Sequence, residues 1–190
     1  MKTLRLFAVL ATLMTLSGCA GLFIAGAAAT TVNIATDPRS TQEIWKDSNL
    51  ELEVTGLSNK PPFQNQMRIT ASSFRGTVIL IGQSRTPELL DQFVAQVQKL
   101  KDVKELHNQV KIKAPLSFGE ISNDSWITTK VKSALLAKSE LNGVKVSVIT
   151  EDREVYLLGY ISREHANIAT DVARNISGVK QVIRAFEYAD

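Results

Sequence analysis

The sequence predicts an α+β fold: two tandem αββαβ modules, each with two helices packed on a small three-stranded mixed sheet, behind an export signal and a tether. Three observations predict it. The second half of the chain repeats the first. Each copy holds two alternating runs around a turn, and each follows them with an apolar stripe at helical spacing. Residues 68–82, ending Val78-Ile79-Leu80-Ile81-Gly82, align with residues 145–159, ending Val155-Tyr156-Leu157-Leu158-Gly159, at a constant offset of 77. Asp47 and Asp124 share that offset. Beyond the glycines the offset becomes 76 and pairs Leu100 with Ile176, Val103 with Val179, Leu106 with Val182, Val110 with Phe186 and Ile112 with Tyr188.

Each copy opens on a helix. Its inward stripe is Leu50, Val54 and Leu57 in the first copy and Ile127, Val131, Ala134 and Leu135 in the second. Two period-two strands come next, joined at Arg75-Gly76 and at Asp152-Arg153, which reads as a hairpin in both copies. Residues 87–100 then place Leu90, Phe93, Val94, Val97 and Leu100 on one helical face, with Pro87 tolerated in the first turn. The second copy has Ala166, Ile168, Ala169, Val172, Ala173 and Ile176, stopped by Gly178. A last strand closes each copy. A helix set among antiparallel strands gives helices on one face of the sheet. The expected boundaries are 41–113 for the first module, 114–122 for a linker containing Pro115, and 123–190 for the second module.

The start of the chain is a different object. Lys2 and Arg5 precede an apolar core at residues 6–16, and Leu16-Ser17-Gly18-Cys19 closes it with small residues. The core is shorter than the roughly 20 residues a bilayer span needs. Residues 1–18 therefore read as a signal peptide. The four closing residues resemble a bacterial lipobox, which implies cleavage before Cys19, a thioether-linked diacylglycerol on its sulfur and an N-acyl chain such as palmitate on its amine. Cys19 is the only cysteine of the chain, so no disulfide can form within it. Several acyl chains on one residue anchor durably where one does not. Ala20 follows, where by resemblance to enterobacterial-type lipoproteins Asp would favour inner-membrane retention; Ala implies the periplasmic face of the outer membrane. Residues 19–40 read as the lipidated N-terminus and a small-residue tether, with a short helix on the membrane surface as the alternative.

Composition narrows the function. The formal charge of +3 falls to about +1 once Lys2 and Arg5 leave with the signal, so the basic pI is no argument for nucleic acid. His107 and His165 occupy non-equivalent positions without metal-ligand spacing. No nucleophile elbow is present, the pairs Glu51/Glu53 and Glu151/Asp152 read as helix flank and hairpin turn, and Gly76, Gly82 and Gly159 are turn or strand glycines rather than a phosphate loop. A duplicated module behind a lipid anchor favours binding over catalysis: no enzyme, no metal, and no cofactor beyond the acyl groups on Cys19.

The Val-x-Leu-x-Gly strand end, the following helix and Gly178-Val179-Lys180-Gln181-Val182 resemble the BON domain, a small αββαβ module. The first copy departs from it, with Lys101-Asp102-Val103 in place of Ser177-Gly178-Val179. Two such modules behind a lipobox resemble a family of dual-BON outer-membrane lipoproteins. Residues 36–40 (Thr-Asp-Pro-Arg-Ser) and residues 123–131 sharpen the match. The resemblance implies phospholipid binding through the second module, envelope integrity and an association with division sites.

The copies differ most on the outward face of their first helices. In the second copy Trp126, Thr129, Lys130, Ser133, Leu136 and Ala137 fall outside the inward stripe, with Lys132 and Lys138 near, and no acid occurs in residues 125–139. In the first copy Asn49, Glu53, Gly56 and Lys60 stand where Trp126, Lys130, Ser133 and Ala137 are, so that helix is expected to lack an aromatic wedge. An outward Trp beside lysines suits a membrane interface and anionic lipid such as phosphatidylglycerol. The expected lipid-binding set is Trp126, Thr129, Lys130, Lys132, Ser133, Leu136 and Ala137. Two alternatives stay open: Trp126 buried in a seam between the modules, and a non-enzymatic adaptor for an outer-membrane assembly machine. Residues 40–113 hold ten Lys/Arg and eight Asp/Glu, and residues 114–190 nine and ten, so attraction of anionic lipid to the second module must be local and salt-sensitive.

Overall fold

The computed structural model describes residues 37–189. The expected signal peptide, Cys19 and the tether up to residue 36 lie outside the described residues. From Arg39 onward the chain is one compact unit. Its elements run α1 (Thr41–Ser58), β1 (Met67–Phe74), β2 (Thr77–Ser84), α2 (Pro87–Val97), β3 (Glu105–Ile112), α3 (Phe118–Leu136), a short 3-10 turn (Ser139–Leu141), β4 (Ser147–Glu151), β5 (Glu154–Ile161), α4 (Arg163–Arg174) and β6 (Gln181–Tyr188). Each module forms its own three-stranded sheet, β1-β2-β3 and β4-β5-β6, with the hairpin strands antiparallel and the last strand parallel to the middle one. The two αββαβ modules and their mixed sheets are as the repeat predicts.

Helix α1 starts at the Ser40-x-x-Glu43 capping box, and α3 starts at the matching Ser117-x-x-Glu120 box. The second start lies inside residues 114–122, the stretch expected to be linker. Helix α3 is therefore longer than the inward stripe alone predicts, and Phe118 is a helical residue.

One face of each sheet packs on its own helices. In the first module Ile69, Ala71, Val78 and Leu80 meet Leu50, Val54, Phe93 and Val97. Phe63 sets its ring edge-on to Phe93 at 5.1 Å. In the second module Val148, Val155 and Leu157 meet Ile127, Val131, Leu135, Ala169 and Ala173. The repeat puts Ala166, Ala169 and Ala173 where the first module has Leu90, Phe93 and Val97, and all three alanines are fully buried. Leu141, from the 3-10 turn, adds bulk to that core.

The opposite faces of the sheets meet each other. Ile79 and Ile81 of β2 pack against Ile149, Tyr156, Leu158, Ile183 and Ala185 of the second sheet. The order of layers is thus helices, sheet, sheet, helices. Around this seam the cations come mainly from the first module and the acids from the second. Arg68 pairs with Glu151, and Lys111 with Glu154. Lys113 Nζ lies 2.8 Å from Asp152, and Gln83 Nε2 donates to Glu151 at 2.8 Å. Glu151 and Glu154 are each only 4% exposed, so the pairing is what makes their burial tolerable. Burial, with Glu154 and Glu151 alongside, pushes the Tyr156 hydroxyl up to about 12.

The aspartates that share the repeat offset do the same work in both modules. Arg75 and Gly76 both have positive φ, as do Asp152 and Arg153, which is the backbone of a two-residue hairpin turn of the primed type. Asp47 accepts from the N–H groups of Arg75 (2.8 Å) and Gly76 (2.9 Å). Asp124 accepts from those of Asp152 (2.7 Å) and Arg153 (2.9 Å). One helix carboxylate thus holds the strained turn in each module. Burial raises the Asp47 carboxyl, but hydrogen bonds from Gly76, Ser73, Arg75 and Arg39 outweigh it and hold its pKa below the usual carboxylate value.

Candidate functional site: the outward face of α3

Helix α3 turns Ile127, Val131 and Leu135 into the core, and Asp124 to the hairpin. At about 100° per residue the opposite side carries Phe118, Ser122, Trp126, Thr129, Ser133 and Leu136. Phe118 is 87%, Trp126 62% and Leu136 83% exposed. Trp126 is therefore outside the seam, which the sheet residues fill instead. The helical layer of the second module is the far side of its sheet from that seam.

Of the expected set, Thr129, Lys132, Ser133 and Ala137 are also exposed on or beside this face, as is Lys138 past the helix end. Lys130 is half-buried, and its Nζ donates to the Ser177 carbonyl just past α4. The Lys132 ammonium is exposed beside the apolar residues.

Two hydroxyls on or beside the face are bonded back to the helix itself. Thr129 Oγ1 donates to the Ser125 carbonyl at 3.0 Å and Ser125 Oγ to the Ile121 carbonyl at 2.9 Å. Hydroxyls bonded back to their own helix lose little when water is removed. Glu120, the one acid near the N-terminal end, is occupied by the Ser117 cap; hydrogen bonds from the Ser117 side chain and N–H hold its carboxyl below the usual value. The face carries three large exposed apolar side chains among small hydroxyl residues, and no uncommitted acid.

Phe118 escaped sequence reading because Pro115 made residues 114–122 look like a joint. The signal that finds it is the Ser117-x-x-Glu120 cap, which starts the helix just before it. A larger correction concerns α1. It was expected to have no aromatic wedge, because Asn49 stands at the Trp126 position. Trp45 and Leu52 are in fact 69% and 70% exposed on that side of α1, one turn before and one turn after Asn49. Position-by-position comparison of the repeats cannot see a wedge displaced by one turn.

Elsewhere the chemistry is structural. A cleft of about 200 Å³ between α1 and the first hairpin is lined by Glu43, Lys46, Asp47, Arg75, Asp102 and Lys104 among others, where Lys46 and Asp102 lie 3.6 Å apart and Arg75 and Glu43 3.8 Å apart. His107 is exposed on β3 beside Glu105, and His165 sits in the first turn of α4, where its N–H donates to the capping Ser162 hydroxyl. Among the described residues no group of three His, Cys, Asp or Glu is placed to hold a metal ion, and no helix is long and apolar enough to cross a membrane.

Residues 46–114 and 123–190 each match the BON domain. The chain is 38% identical over 176 residues to the outer membrane lipoprotein DolP of Haemophilus influenzae, covering 92% of this chain and 91% of that one. It is 39% identical over 153 residues to a 21 kDa hemolysin of Actinobacillus pleuropneumoniae, covering 80% and 79%. Among solved structures it is similar to CdsD of the Chlamydia trachomatis type III secretion system at 20% identity and a TM-score of 0.30, over 75% of this chain and 63% of that one.

Proposed function

We propose, for a chain that belongs to the BON-domain family, that it is an outer-membrane lipoprotein of the cell envelope which binds anionic phospholipid through the outward face of α3. The acyl groups on Cys19 hold it on the periplasmic face, as the name of its Haemophilus relative and the lipobox both favour. The observation that carries the lipid reading is the line of Phe118, Trp126 and Leu136, exposed on one helix face with Lys132 beside it. Inserted at headgroup depth, the indole keeps its N–H wet while the ring and its apolar neighbours leave water. Lys132 adds an attraction of about 1 kcal/mol to an anionic surface.

The anchor changes what such a contact needs to achieve. A tethered module meets lipid at high local concentration, so a weak contact suffices. The anchor sets which membrane the protein occupies, and α3 sets where on it the protein gathers; enrichment at division sites, which the family resemblance implies, would follow from local lipid composition. Flotation of residues 39–190, which form one compact unit and carry no acyl anchor, with phosphatidylglycerol vesicles tests the reading. Binding should need anionic lipid, weaken with salt, and fall at least about tenfold in Trp126→Ala. Wild-type protein that ignores such vesicles at low salt, or Trp126→Ala protein that binds as before, removes it.

A further inference from the structure

Helices α1 and α3 lie on opposite outer layers, because the two sheets meet through their open faces. A membrane under α3 leaves the outward face of α1 turned away from it. That face carries Trp45, Asn49, Leu52 and Gly56, spaced at i, i+4, i+7 and i+11 along roughly 16 Å of helix. Gly56 lies in the last turn of the helix, before its Asn59 cap, where glycine is still a poor helix former. Nothing inside the molecule asks for it: its φ is not in the left-handed region, and a Cβ there would meet no atom within 4 Å. The glycine leaves an open notch on the surface, in line with an exposed tryptophan.

We propose that this face of α1 is a self-association surface, which pairs antiparallel with α1 of a second copy about a two-fold axis. In that pairing Trp45 of each copy lies against Gly56 of the other, and Asn49 against Leu52, so that a large side chain meets a notch twice. The flanks fit as well. Lys46 and Glu53 lie on the same edge of the stripe, and the two-fold brings each Lys46 within about one turn of the other copy's Glu53. The opposite edge, with Thr41, Ser48, Thr55 and Asn59, is uncharged, so no like charges meet. The 3.6 Å contact of Lys46 with Asp102 is between half-exposed side chains and yields readily to a new partner. The repeat-equivalent stripe on α3 is Ser122, Trp126, Thr129 and Ser133, which has no notch and no acid on its edge.

The test uses the full-length chain in isolated membranes. Asn49→Cys is treated with a short bis-maleimide, with the parent chain (Cys19 alone) and Asn142→Cys, an exposed position in the second module, as controls. A dimer band from Asn49→Cys and not from the controls is expected. In that background Gly56→Leu, which fills the notch without touching the core, should abolish the band. Lys46→Glu should cut it about fivefold, and Lys46→Glu with Glu53→Lys should restore it. Equal bands from Asn49→Cys and Asn142→Cys, a band indifferent to Gly56→Leu, or a charge swap that does not restore it would each overturn the proposal. So would Asn49→Cys giving no dimer while Trp45 is quenched by lipid-borne quenchers, which makes the occupant of this face a membrane, or a cross-link to a band of another mass, which makes it a different protein.

Discussion

The two modules share a backbone and a polar device but spend their outward helix faces differently. On α3 the exposed apolar residues are Phe118, Trp126 and Leu136, spread along the helix with Lys132 and no free acid. On α1 they are Trp45 and Leu52, closer together, beside a glycine and with Lys46 and Glu53 on one edge. A basic and apolar face fits an anionic surface. A face with both signs of charge and a notch fits a copy of itself. The difference teaches that duplication kept what folds the module and left free what the module touches.

Inside, the asymmetry is one of volume. The first module fills its core with Phe63, Phe93, Leu90 and Val97, whereas the second brings three alanines of α4 onto the sheet and adds Leu141. The invariant parts are backbone devices. Gly82 and Gly159 have φ of 144° and 154°, and each lies against a carbonyl of the neighbouring strand. A Cβ at Gly159 would come within 2.6 Å of the Lys145 oxygen, and one at Gly82 would approach the Arg68 oxygen more closely still. That clash, rather than a site for phosphate, is why Val-x-Leu-x-Gly ends on glycine in both copies.

The largest expected effect therefore breaks the equivalence of those glycines. Gly82→Ala should cost more than about 4 kcal/mol, and Gly159→Ala less, measured as the loss of unfolding free energy in urea; equal costs would mean that strand contacts do not set the requirement. Next come the turn aspartates. Asp47→Ala should cost about 3 kcal/mol, because it strands two turn N–H groups and the Ser73 hydroxyl, and Asp124→Ala somewhat less, because it strands two N–H groups only. Thermal melts of the two variants rank them.

The third expectation sharpens the comparison of faces. Trp126→Ala should lower vesicle binding about tenfold while Trp45→Ala leaves it unchanged, since the two indoles point from opposite layers. Acid gives the fourth. Asp47 has a lowered pKa in the folded state, so its contribution is fully present above the ordinary aspartate value of 3.8 and is lost as pH falls through the lower folded value. Urea midpoints from pH 5 downward should drop, and the drop should be smaller in Asp47→Asn; an unchanged slope would remove Asp47 as its source. The smallest effect is at the notch. Gly56→Ala should stabilise the monomer by about 1 kcal/mol and Ser133→Ala, its counterpart on α3, by about half that, as read by thermal melts.

Much of this is legible in the sequence alone. The offset of 77 placed both hairpins, the pairing of Asp47 with Asp124 and the strand glycines, because backbone geometry repeats residue by residue. Helical phase put Trp126 outside its own module's core, and the sheet-to-sheet seam then left it exposed. Three features were not legible in the same way. Phe118 hid behind Pro115, although the Ser117-x-x-Glu120 cap announces the helix. The bond of the Lys130 ammonium to the Ser177 carbonyl, a residue 47 positions away, has no signature in local spacing. Trp45 was missed because an aligned repeat compares positions, whereas a helix face gathers residues a turn apart.

What the sequence determined by itself is local and periodic: two αββαβ modules, their turns, caps and inward stripes. These follow from spacings of a few residues, and the chain carries them wherever it goes. What the tertiary structure decided is which way the modules face. The open sides of the two sheets are apolar in both copies, and the acids near the second hairpin match the bases of the first sheet. Joining them back to back buries both faces and pairs Glu151 and Glu154 at once. That choice, made by contacts between residues some 40 to 80 positions apart in the chain, sends α1 and α3 to opposite sides of the molecule and gives one protein two separate surfaces.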